Sequence, residues 1–266
     1  IDSRAMKGAM LRVADAAIEH GFGDPFPYPA IRDLLFRRRP RLAHATAADS
    51  SLVDPTVDVV VEATRLARTL DGTILPIQGP PGTGKTYTAA RMIVGLVRRG
   101  KLVGISAQSH KTIGNLLEEV LRAADEPDET VRARPAGAPI RVVQRAGELD
   151  LYVQDPRVRL ATTNAVVDES VEAGTADIVA GTAWLFSRGE LDGALDVLFV
   201  DEAGQYALAN VIAAGACARS IVLVGDPTQL PMVTQGVHPD GAGLSGLAHL
   251  LGDDITIPPD RVLFLS

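Results

Sequence analysis

The sequence predicts an α/β fold in which helices flank a mostly parallel β-sheet. Residues 79–86 read Gly-Pro-Pro-Gly-Thr-Gly-Lys-Thr, which matches the phosphate-binding loop pattern G-x-x-x-x-G-K-[ST]. A short apolar run precedes this loop and an amphipathic segment follows it. Further short apolar runs alternate with helical segments along the chain. Strands separated by helices imply βαβ units, and therefore a parallel sheet.

The composition indicates a folded chain with a real core. Of the 266 residues, 46% are hydrophobic and 22% are charged, which is ordinary for a globular protein. Only 4% are aromatic, so the core must consist mainly of Ala, Val, Leu and Ile. The net charge of −7 does not indicate a nucleic-acid binder. It does not exclude one, because a local groove can be basic on an acidic protein.

The single cysteine predicts the compartment. Cys217 excludes an internal disulfide and fits a reducing environment. It lies in the apolar stretch 207–218, so we expect a buried structural thiol. That stretch is too short to span a bilayer, and no signal peptide opens the chain. We therefore expect a soluble, cytoplasmic protein without a membrane partner.

The chain divides into an accessory segment and a main lobe. Residues 1–50 are predicted to form a small helical segment, with a helix over 5–20 and a basic run at 37–41. This run is expected to be a solvated group of charges rather than a phosphate track. Residues 51–266 are predicted to form the nucleotide-binding lobe. Its first helix is expected over 54–70, capped by Asp54 with Pro55 at its first position.

The loop lies between a predicted strand and a predicted helix. Residues 73–77 form a short apolar run suited to a buried parallel strand. After the loop, apolar residues recur on one helical face, at Ala89, Met92, Ile93, Leu96 and Val97. Arg98, Arg99 and Gly100 provide an end for this helix. The order strand, loop, helix directs the helix N-terminus at bound phosphates.

The remaining elements continue the alternation. Another helical face is expected at 113–121, and further strands are predicted at 102–106, 140–143, 178–180, 197–200 and 221–224. Residues 122–139 are charged and rich in Pro, Ala and Gly, which predicts a loop within an insertion around 118–160. The apolar run 262–265 resembles a buried strand just before Ser266, and the chain does not begin with Met. We therefore expect a fragment of a longer protein.

The glycine loop carries the first set of candidate site residues. Its glycines let the backbone turn its N–H groups around anionic oxygens where a Cβ would intrude. Lys85 is predicted to contact the outer phosphates of ATP, and the Thr86 hydroxyl to bind Mg²⁺. The alternative is a glycine-rich turn that matches by chance. The predicted nucleotide-binding residues are Gly79, Pro80, Pro81, Gly82, Thr83, Gly84, Lys85, Thr86 and Tyr87.

Two later strands are followed by polar residues. Asp201 and Glu202 follow the apolar run 198–200. In a parallel sheet, functional groups gather at the carboxyl ends of strands. Asp201 is predicted to hold Mg²⁺, and Glu202 to orient or deprotonate the attacking water; a solvated strand end is the alternative. Asp226 and Gln229, after the run 221–224, are expected at the same edge, where the alternative is a plain Asp-Pro turn.

Together these clusters resemble motifs I, II and III of superfamily 1 helicases. The motifs are the glycine loop, Asp-Glu-Ala-Gly-Gln at 201–205 and Gly-Asp-Pro-Thr-Gln-Leu-Pro at 225–231. Their forms resemble the up-frameshift-like (1B) branch, whose members generally move 5′ to 3′. The resemblance implies a RecA-like lobe in which Lys85 and Glu202 are catalytic. It further implies that Gln229 is catalytic, coupling the γ-phosphate to the bound strand.

The resemblance also implies contacts with single-stranded DNA or RNA. Residues 107–116 are similar to the strand-contacting motif Ia, and 181–186 to a later strand-contacting motif. Ser109, His110 and Thr182 are thereby predicted to face nucleic acid. Trp184 is the less favoured candidate of the group, since a tryptophan is more often part of the core than a stacking platform.

Some features of the family are missing. Such a motor needs a second RecA-like lobe with motifs IV to VI, including arginines that complete the ATP site, and these residues do not contain it. The glutamine motif expected near 55–65 is also absent. The first segment would suit a bacterial RecB-like nuclease joined to a helicase. The rival interpretations are a stand-alone phosphate-loop ATPase, disfavoured by Asp-Glu-Ala-Gly-Gln, and a nucleotide-gated binding switch.

Overall fold

The computed structural model describes residues 3–43, 52–126, 139–147, 152–229, 243–254 and 256–266. Within these ranges the helices are α1 (Arg4–His20), α2 (Pro29–Leu35), α3 (Val59–Thr69), α4 (Lys85–Val97), α5 (His110–Asp125), α6 (Asn164–Glu172), α7 (Ala183–Phe186), α8 (Leu208–Gly215) and α9 (Gly246–Leu251). The strands are β1 (Ile74–Gln78), β2 (Val103–Ser106), β3 (Val142–Arg145), β4 (Val158–Ala161), β5 (Ile178–Gly181), β6 (Leu195–Val200), β7 (Ala218–Gly225) and β8 (Leu263–Phe264).

The strands form one sheet in the order β4-β3-β5-β2-β6-β7-β1-β8. Every pairing among the described strands is parallel, so the predicted α/β fold with a mostly parallel sheet is confirmed. β1 lies between β7 and β8, with Ile77 opposite both Val224 and Leu263. Because all carboxyl ends lie at one edge, the segments after β1, β2, β6 and β7 meet there.

Most strand predictions hold within a few residues, and two need correction. The strand predicted at 140–143 lies at Val142–Arg145. β4 is not predicted from the sequence; it lies at the sheet edge and pairs with β3. Edge strands are half exposed, and the burial of Val158–Ala161 is mixed, so the apolar run that indicates a central strand is absent. The apolar run at 262–265 does form a strand, since β8 pairs with β1.

The helix predicted over 54–70 begins later than expected. α3 starts at Val59, where the Asp58 carboxylate accepts hydrogen bonds from the N–H groups of Val60 and Val61 at 2.9 and 3.2 Å. Asp54 instead accepts from the backbone and hydroxyl of Thr56, forming a separate turn. The capping role therefore belongs to the second aspartate.

The predicted loop at 122–139 also changes. α5 continues through Asp125, and residues 127–138 lie outside the described part of the chain. The division into segments at 1–50, 51–266 and 118–160 stays a prediction.

Both faces of the sheet are covered by apolar residues. On β1, Ile74 packs into the cluster that includes α1, α2 and α8, while Leu75 and Ile77 pack into the cluster formed with α3, α4 and α5. The thiol of Cys217 is fully buried, as expected, and burial raises its pKa. No helix in the described part of the chain is both long enough and apolar enough to cross a membrane.

The basic run at 37–41 pairs with acidic groups of the same chain. Arg41 lies 2.8 Å from the buried carboxylate of Asp33, and Arg39 lies 2.7 Å from Asp260. The Arg41–Asp33 pair lies within the first segment, whereas the Arg39–Asp260 pair joins that segment to the lobe, so the run is more than a solvated face.

Candidate nucleotide site at the carboxyl edge of the sheet

The glycine loop connects β1 directly to α4. Its first residue, Gly79, donates its N–H to the carbonyl of Gly225 at the end of β7, 3.2 Å away. A Cβ at Gly79 would lie 2.5 Å from the Thr83 hydroxyl and 2.8 Å from the Leu265 carbonyl, so a side chain is excluded here. Gly82 and Gly84 differ: their φ angles are 87° and 79°, with open space where a Cβ would lie. They are needed for the left-handed backbone of the loop rather than for close packing.

The Lys85 side chain folds back over this loop. Its Nζ donates hydrogen bonds to the carbonyls of Gly79 and Pro80 at 2.5 and 2.7 Å. Burial lowers the pKa of Lys85, and the negative charges of Asp226 and Asp201 oppose that effect. The ammonium group therefore lies at the mouth of the loop, facing two carboxylates. The N–H groups of the first turn of α4 have no partner within the helix and carry its positive dipole end, which fits a bound phosphate.

Asp201 lies at the end of β6 and is 8% exposed. Its backbone N–H donates to the carbonyl of Ser106 at the end of β2, 2.8 Å away. Burial raises the pKa of the Asp201 carboxyl to about 6; the hydrogen bond from the Glu202 N–H opposes this rise. This buried acid is close enough to Lys85 for each to affect the other's ionisation.

The groups at this edge fit a nucleotide-bound Mg²⁺. A carboxylate and a hydroxyl, from Asp201 and Thr86, are the hard oxygen ligands that this ion prefers. Within the described ranges no group of three or more His, Cys, Asp or Glu side chains forms a metal site. A magnesium ion bound to nucleotides usually takes phosphate oxygens and water as its other ligands.

Glu202 adopts an unusual backbone conformation. Its φ of 53° is in the left-handed region, which costs a residue with a side chain about 1–3 kcal/mol. Its Oε2 accepts a hydrogen bond from the Thr112 hydroxyl on the first turn of α5, at 3.2 Å. The carboxylate predicted to act on water is thus held by a residue that follows β2.

The turns after β6 and β7 are in direct contact. A Cβ on Gly204 would lie 2.1 Å from the carbonyl oxygen of Asp226, so only glycine fits. The Asp226 carboxylate accepts hydrogen bonds from the backbone and hydroxyl of Thr228, at 2.9 and 2.6 Å. The Asp-Pro turn of the alternative interpretation is therefore present, yet it also holds a buried carboxylate near Lys85. Gln229 lies beyond it, with its Oε1 3.4 Å from Nε2 of Gln205.

The residues predicted to contact nucleic acid lie beside this site. Ser109 caps α5, its hydroxyl accepting from the N–H of Thr112 at 3.1 Å. His110, Thr182 and Trp184 line one surface cavity of about 320 Å³. Trp184 lines this cavity and is partly exposed there, and its role as a core or stacking residue stays a prediction.

Arg145 is also part of this cavity and went unnoticed in the sequence. Its guanidinium group is held by Asn164 at 3.0 Å and by the carbonyl of Ala146 at 2.8 Å. Burial lowers the pKa of His110, and Arg145 contributes to the lowering. The cavity therefore has a fixed positive charge and an aromatic ring, which are features of single-strand binding sites.

Three other residues connecting the two regions were missed. Gln108 donates to the carbonyl of Gln205 at 3.1 Å, and Gln205 in turn approaches Gln229. Thr112 links Ser109 to Glu202. A signal existed for Thr112 only, because Ser109 and Thr112 have the three-residue spacing of a helix N-cap and its partner. The contacts of the glutamines depend on which strands become neighbours.

The loop, its lysine and the buried carboxylates at the carboxyl edge of a parallel sheet define a P-loop nucleotide-binding domain, and the expected RecA-like fold is confirmed. The family described as "AAA domain" matches residues 62–240, and the chain belongs to it.

Similar proteins include two large replication enzymes. The chain is 27% identical over 172 residues to "DNA replication ATP-dependent helicase/nuclease JHS1" of Arabidopsis thaliana, covering 64% of this chain and 12% of that protein. It is 26% identical over 180 residues to "DNA replication ATP-dependent helicase/nuclease DNA2" of Saccharomyces cerevisiae, covering 66% and 11%. Among solved structures, it resembles Arterivirus nonstructural protein 10 (helicase) in complex with DNA, with TM-score 0.40, 15% identity and coverage of 71% and 35%.

Proposed function

We propose that this chain is the ATP-binding motor lobe of a superfamily 1 helicase of the 1B branch. In this proposal ATP hydrolysis drives translocation along single-stranded DNA or RNA. One observation carries it: Lys85 folds over the glycine loop after β1, and the buried carboxylates Asp201 and Asp226 follow the neighbouring strands β6 and β7 at the same edge of the sheet. The names of the relatives support a helicase, and their pairing with a nuclease fits the RecB-like context predicted from the sequence.

The residues divide the work of phosphoryl transfer. The amides of the loop and of the first turn of α4 bind the phosphates, and Lys85 neutralises their outer oxygens. Thr86 and Asp201 would hold Mg²⁺, which supplies charge stabilisation to the phosphoryl group. Glu202 orients the attacking water and accepts its proton. Gln229, in the turn after β7, couples the γ-phosphate to the bound strand.

The nucleic-acid strand would lie across the adjoining edge. Ser109, His110 and Thr182 are proposed to contact its backbone, and Trp184 offers a partly exposed ring for stacking. A second RecA-like lobe would complete the ATP site with arginines, which in such enzymes contribute about 10³–10⁵ in rate. Without that lobe we expect nucleotide binding but slow hydrolysis and no unwinding.

The Lys85→Ala substitution tests the nucleotide site. We expect ATP affinity, measured by calorimetry, to fall by at least about tenfold, because one hydrogen bond to a charged group is worth ~1.5–3 kcal/mol. Lys101→Ala is the matched control, since Lys101 pairs with Asp196 on the surface. Retained affinity in Lys85→Ala would show that the loop is not the site.

Stimulation by nucleic acid tests the motor. In the intact protein, a single strand should increase steady-state ATP hydrolysis, and the Lys85→Ala variant should remain inactive with or without the strand. A wild-type rate that a single strand leaves unchanged would contradict the motor and favour a nucleotide-gated switch.

A further inference from the structure

A chain of hydroxyl groups connects the surface at the start of α5 to Glu202. Ser109 is exposed, whereas Thr112 and Glu202 are partly buried. The Ser109 and Thr112 hydroxyl oxygens are 2.9 Å apart, and the Thr112 hydroxyl lies 3.2 Å from Oε2 of Glu202. The chain is three residues long and spans the gap between two strand ends.

The hydrogen bonds that join Ser109, Thr112 and Glu202 have one consistent direction from donor to acceptor. A carboxylate only accepts hydrogen bonds, so Thr112 must donate its single hydroxyl proton to Glu202. The Thr112 oxygen is then free to accept, and the Ser109 hydroxyl donates to it. Ser109 accepts in turn from the backbone N–H of Thr112. Hydrogen bonds in such a series polarise one another, so each strengthens the next.

The hydrogen bond from Thr112 determines where the Glu202 carboxylate lies. Its Oε2 accepts the hydrogen bond of the Thr112 hydroxyl at 3.2 Å, so the carboxylate is held toward the first turn of α5. A base held in this way is displaced from the water it must activate, since a general base must lie within hydrogen-bond reach of the proton it accepts.

We infer that Thr112 is a positioning residue that restrains Glu202 until a nucleic-acid strand binds at Ser109. The inference rests on the proposed function for the identity of Glu202 as the base. A phosphate oxygen of the strand is a stronger acceptor for the Ser109 hydroxyl than the neutral Thr112 oxygen is. When Ser109 donates to the strand instead, it no longer polarises the Thr112 hydroxyl, and the hydrogen bond from Thr112 to Glu202 weakens. Glu202 is then released and turns toward the nucleotide. Hydrolysis is thereby coupled to occupancy of the strand site.

A second set of contacts starts at the same segment. Gln108, directly before Ser109, donates to the carbonyl of Gln205 at 3.1 Å. The Gln205 side chain approaches that of Gln229. Movement of residues 108–112 would thus reach the turns after both β6 and β7. The hydroxyl chain differs from this set because it ends on the carboxylate itself.

The Thr112→Val substitution tests the restraint in the intact protein. Valine keeps the shape of threonine but donates no hydrogen bond. We expect kcat for ATP hydrolysis without nucleic acid to rise by about three- to tenfold, the range set by the net contribution of one ordinary intramolecular hydrogen bond. KM for ATP should stay unchanged, and the ratio of stimulated to unstimulated rate should fall. Thr112→Ser, which keeps the hydroxyl, should behave like wild type.

Thr64→Val is the matched control, because the Thr64 hydroxyl on α3 bonds only to the Val60 carbonyl of its own helix in the described structure. It should leave both rates unchanged. An unstimulated rate in Thr112→Val that falls or stays equal to wild type would overturn the restraint, as would a Thr112→Ser variant that behaves like valine.

The two proposals fail in different ways. If Thr112→Val is activated but a single strand stimulates neither protein, the restraint stands and the nucleic-acid motor falls. If the strand stimulates wild type and Thr112→Val equally, from the same unstimulated rate, the motor stands and the restraint falls. A chain without ATP hydrolysis under any condition would overturn both.

Discussion

Two adjacent carboxylates at the end of β6 differ sharply in environment. Asp201 is nearly buried, with its carboxyl pKa raised to about 6 by the loss of water. Glu202 is partly exposed, has a left-handed backbone and reaches toward Thr112. Asp201 is close enough to Lys85 for its charge to act on the lysine, whereas Glu202 is held by Thr112 of α5. The proposed division into a metal ligand and a base rests on this difference.

The Asp201→Asn substitution should stabilise the protein in buffer without metal and nucleotide. An acid whose folded-state pKa lies above its unfolded value binds more protons when folded, so its contribution to stability decreases as pH rises from about 4 to above 6. The change from 3.8 to about 6 corresponds to at most ~3 kcal/mol. Urea unfolding at pH 4.5 and 7.5 measures the difference in unfolding free energy between Asp201→Asn and wild type.

The advantage of Asp201→Asn over wild type should be larger at pH 7.5 than at pH 4.5. The exposed Asp253→Asn is the control and should change little at either pH. Equal effects of Asp201→Asn at the two pH values would show that the Asp201 carboxyl titrates normally.

At the scale of elements, helix starts place the functional groups. α4 begins at Lys85 without a side-chain cap, so its first amides stay available for an anion. α3 and α5 begin with the caps Asp58 and Ser109. α1, α2, α6, α7 and α8 also begin without a side-chain cap, so what distinguishes α4 is the glycine loop that leads into it. The Ser109 hydroxyl has two roles, because it caps α5 and also donates a hydrogen bond to the Thr112 hydroxyl.

The cap of α3 gives a stability prediction. Asp58→Ala should lower the free energy of unfolding by about 0.5–2 kcal/mol, the usual value of an N-cap side chain. Asp54→Ala should cost less, because Asp54 only closes a turn with Thr56. Chemical denaturation at neutral pH gives both values. A larger loss for Asp54→Ala would restore the helix start predicted from the sequence.

At the scale of the whole molecule, the site exists because the sheet brings distant segments to one edge. The order β2-β6-β7-β1 places the segments after these strands side by side, although they are far apart in sequence. Ala203 donates its N–H to the carbonyl of Val224 at 2.9 Å, and Gly204 lies against Asp226. These contacts fix the distance between the acidic pair and the turn that carries Gln229.

The Gly204→Ala substitution tests this contact. A methyl group 2.1 Å from a backbone oxygen cannot be accommodated without moving one turn, so we expect a loss of stability and of ATP affinity together. Gly8→Ala in α1 is the control: its Cβ would meet only the end of the Arg12 side chain at 3.7 Å, and alanine favours a helix. Thermal unfolding measures the stability of both variants, and nucleotide titration measures their affinity for ATP. Unchanged stability in Gly204→Ala would contradict the close packing.

The sequence by itself determined the loop, the parallel sheet and the acidic residues after its strands. These are local signals, since an apolar run, a glycine pattern and a polar strand end are each written within about ten residues. It misplaced the start of α3 because two aspartates offered similar caps, and it missed β4 because an edge strand lacks a continuous apolar run. Only the tertiary structure decided that Thr112 holds Glu202, that Arg145 joins His110 and Trp184, and that Gly204 packs on Asp226. Such contacts join segments up to about ninety residues apart, and strand order, which no short stretch of sequence specifies, makes them neighbours.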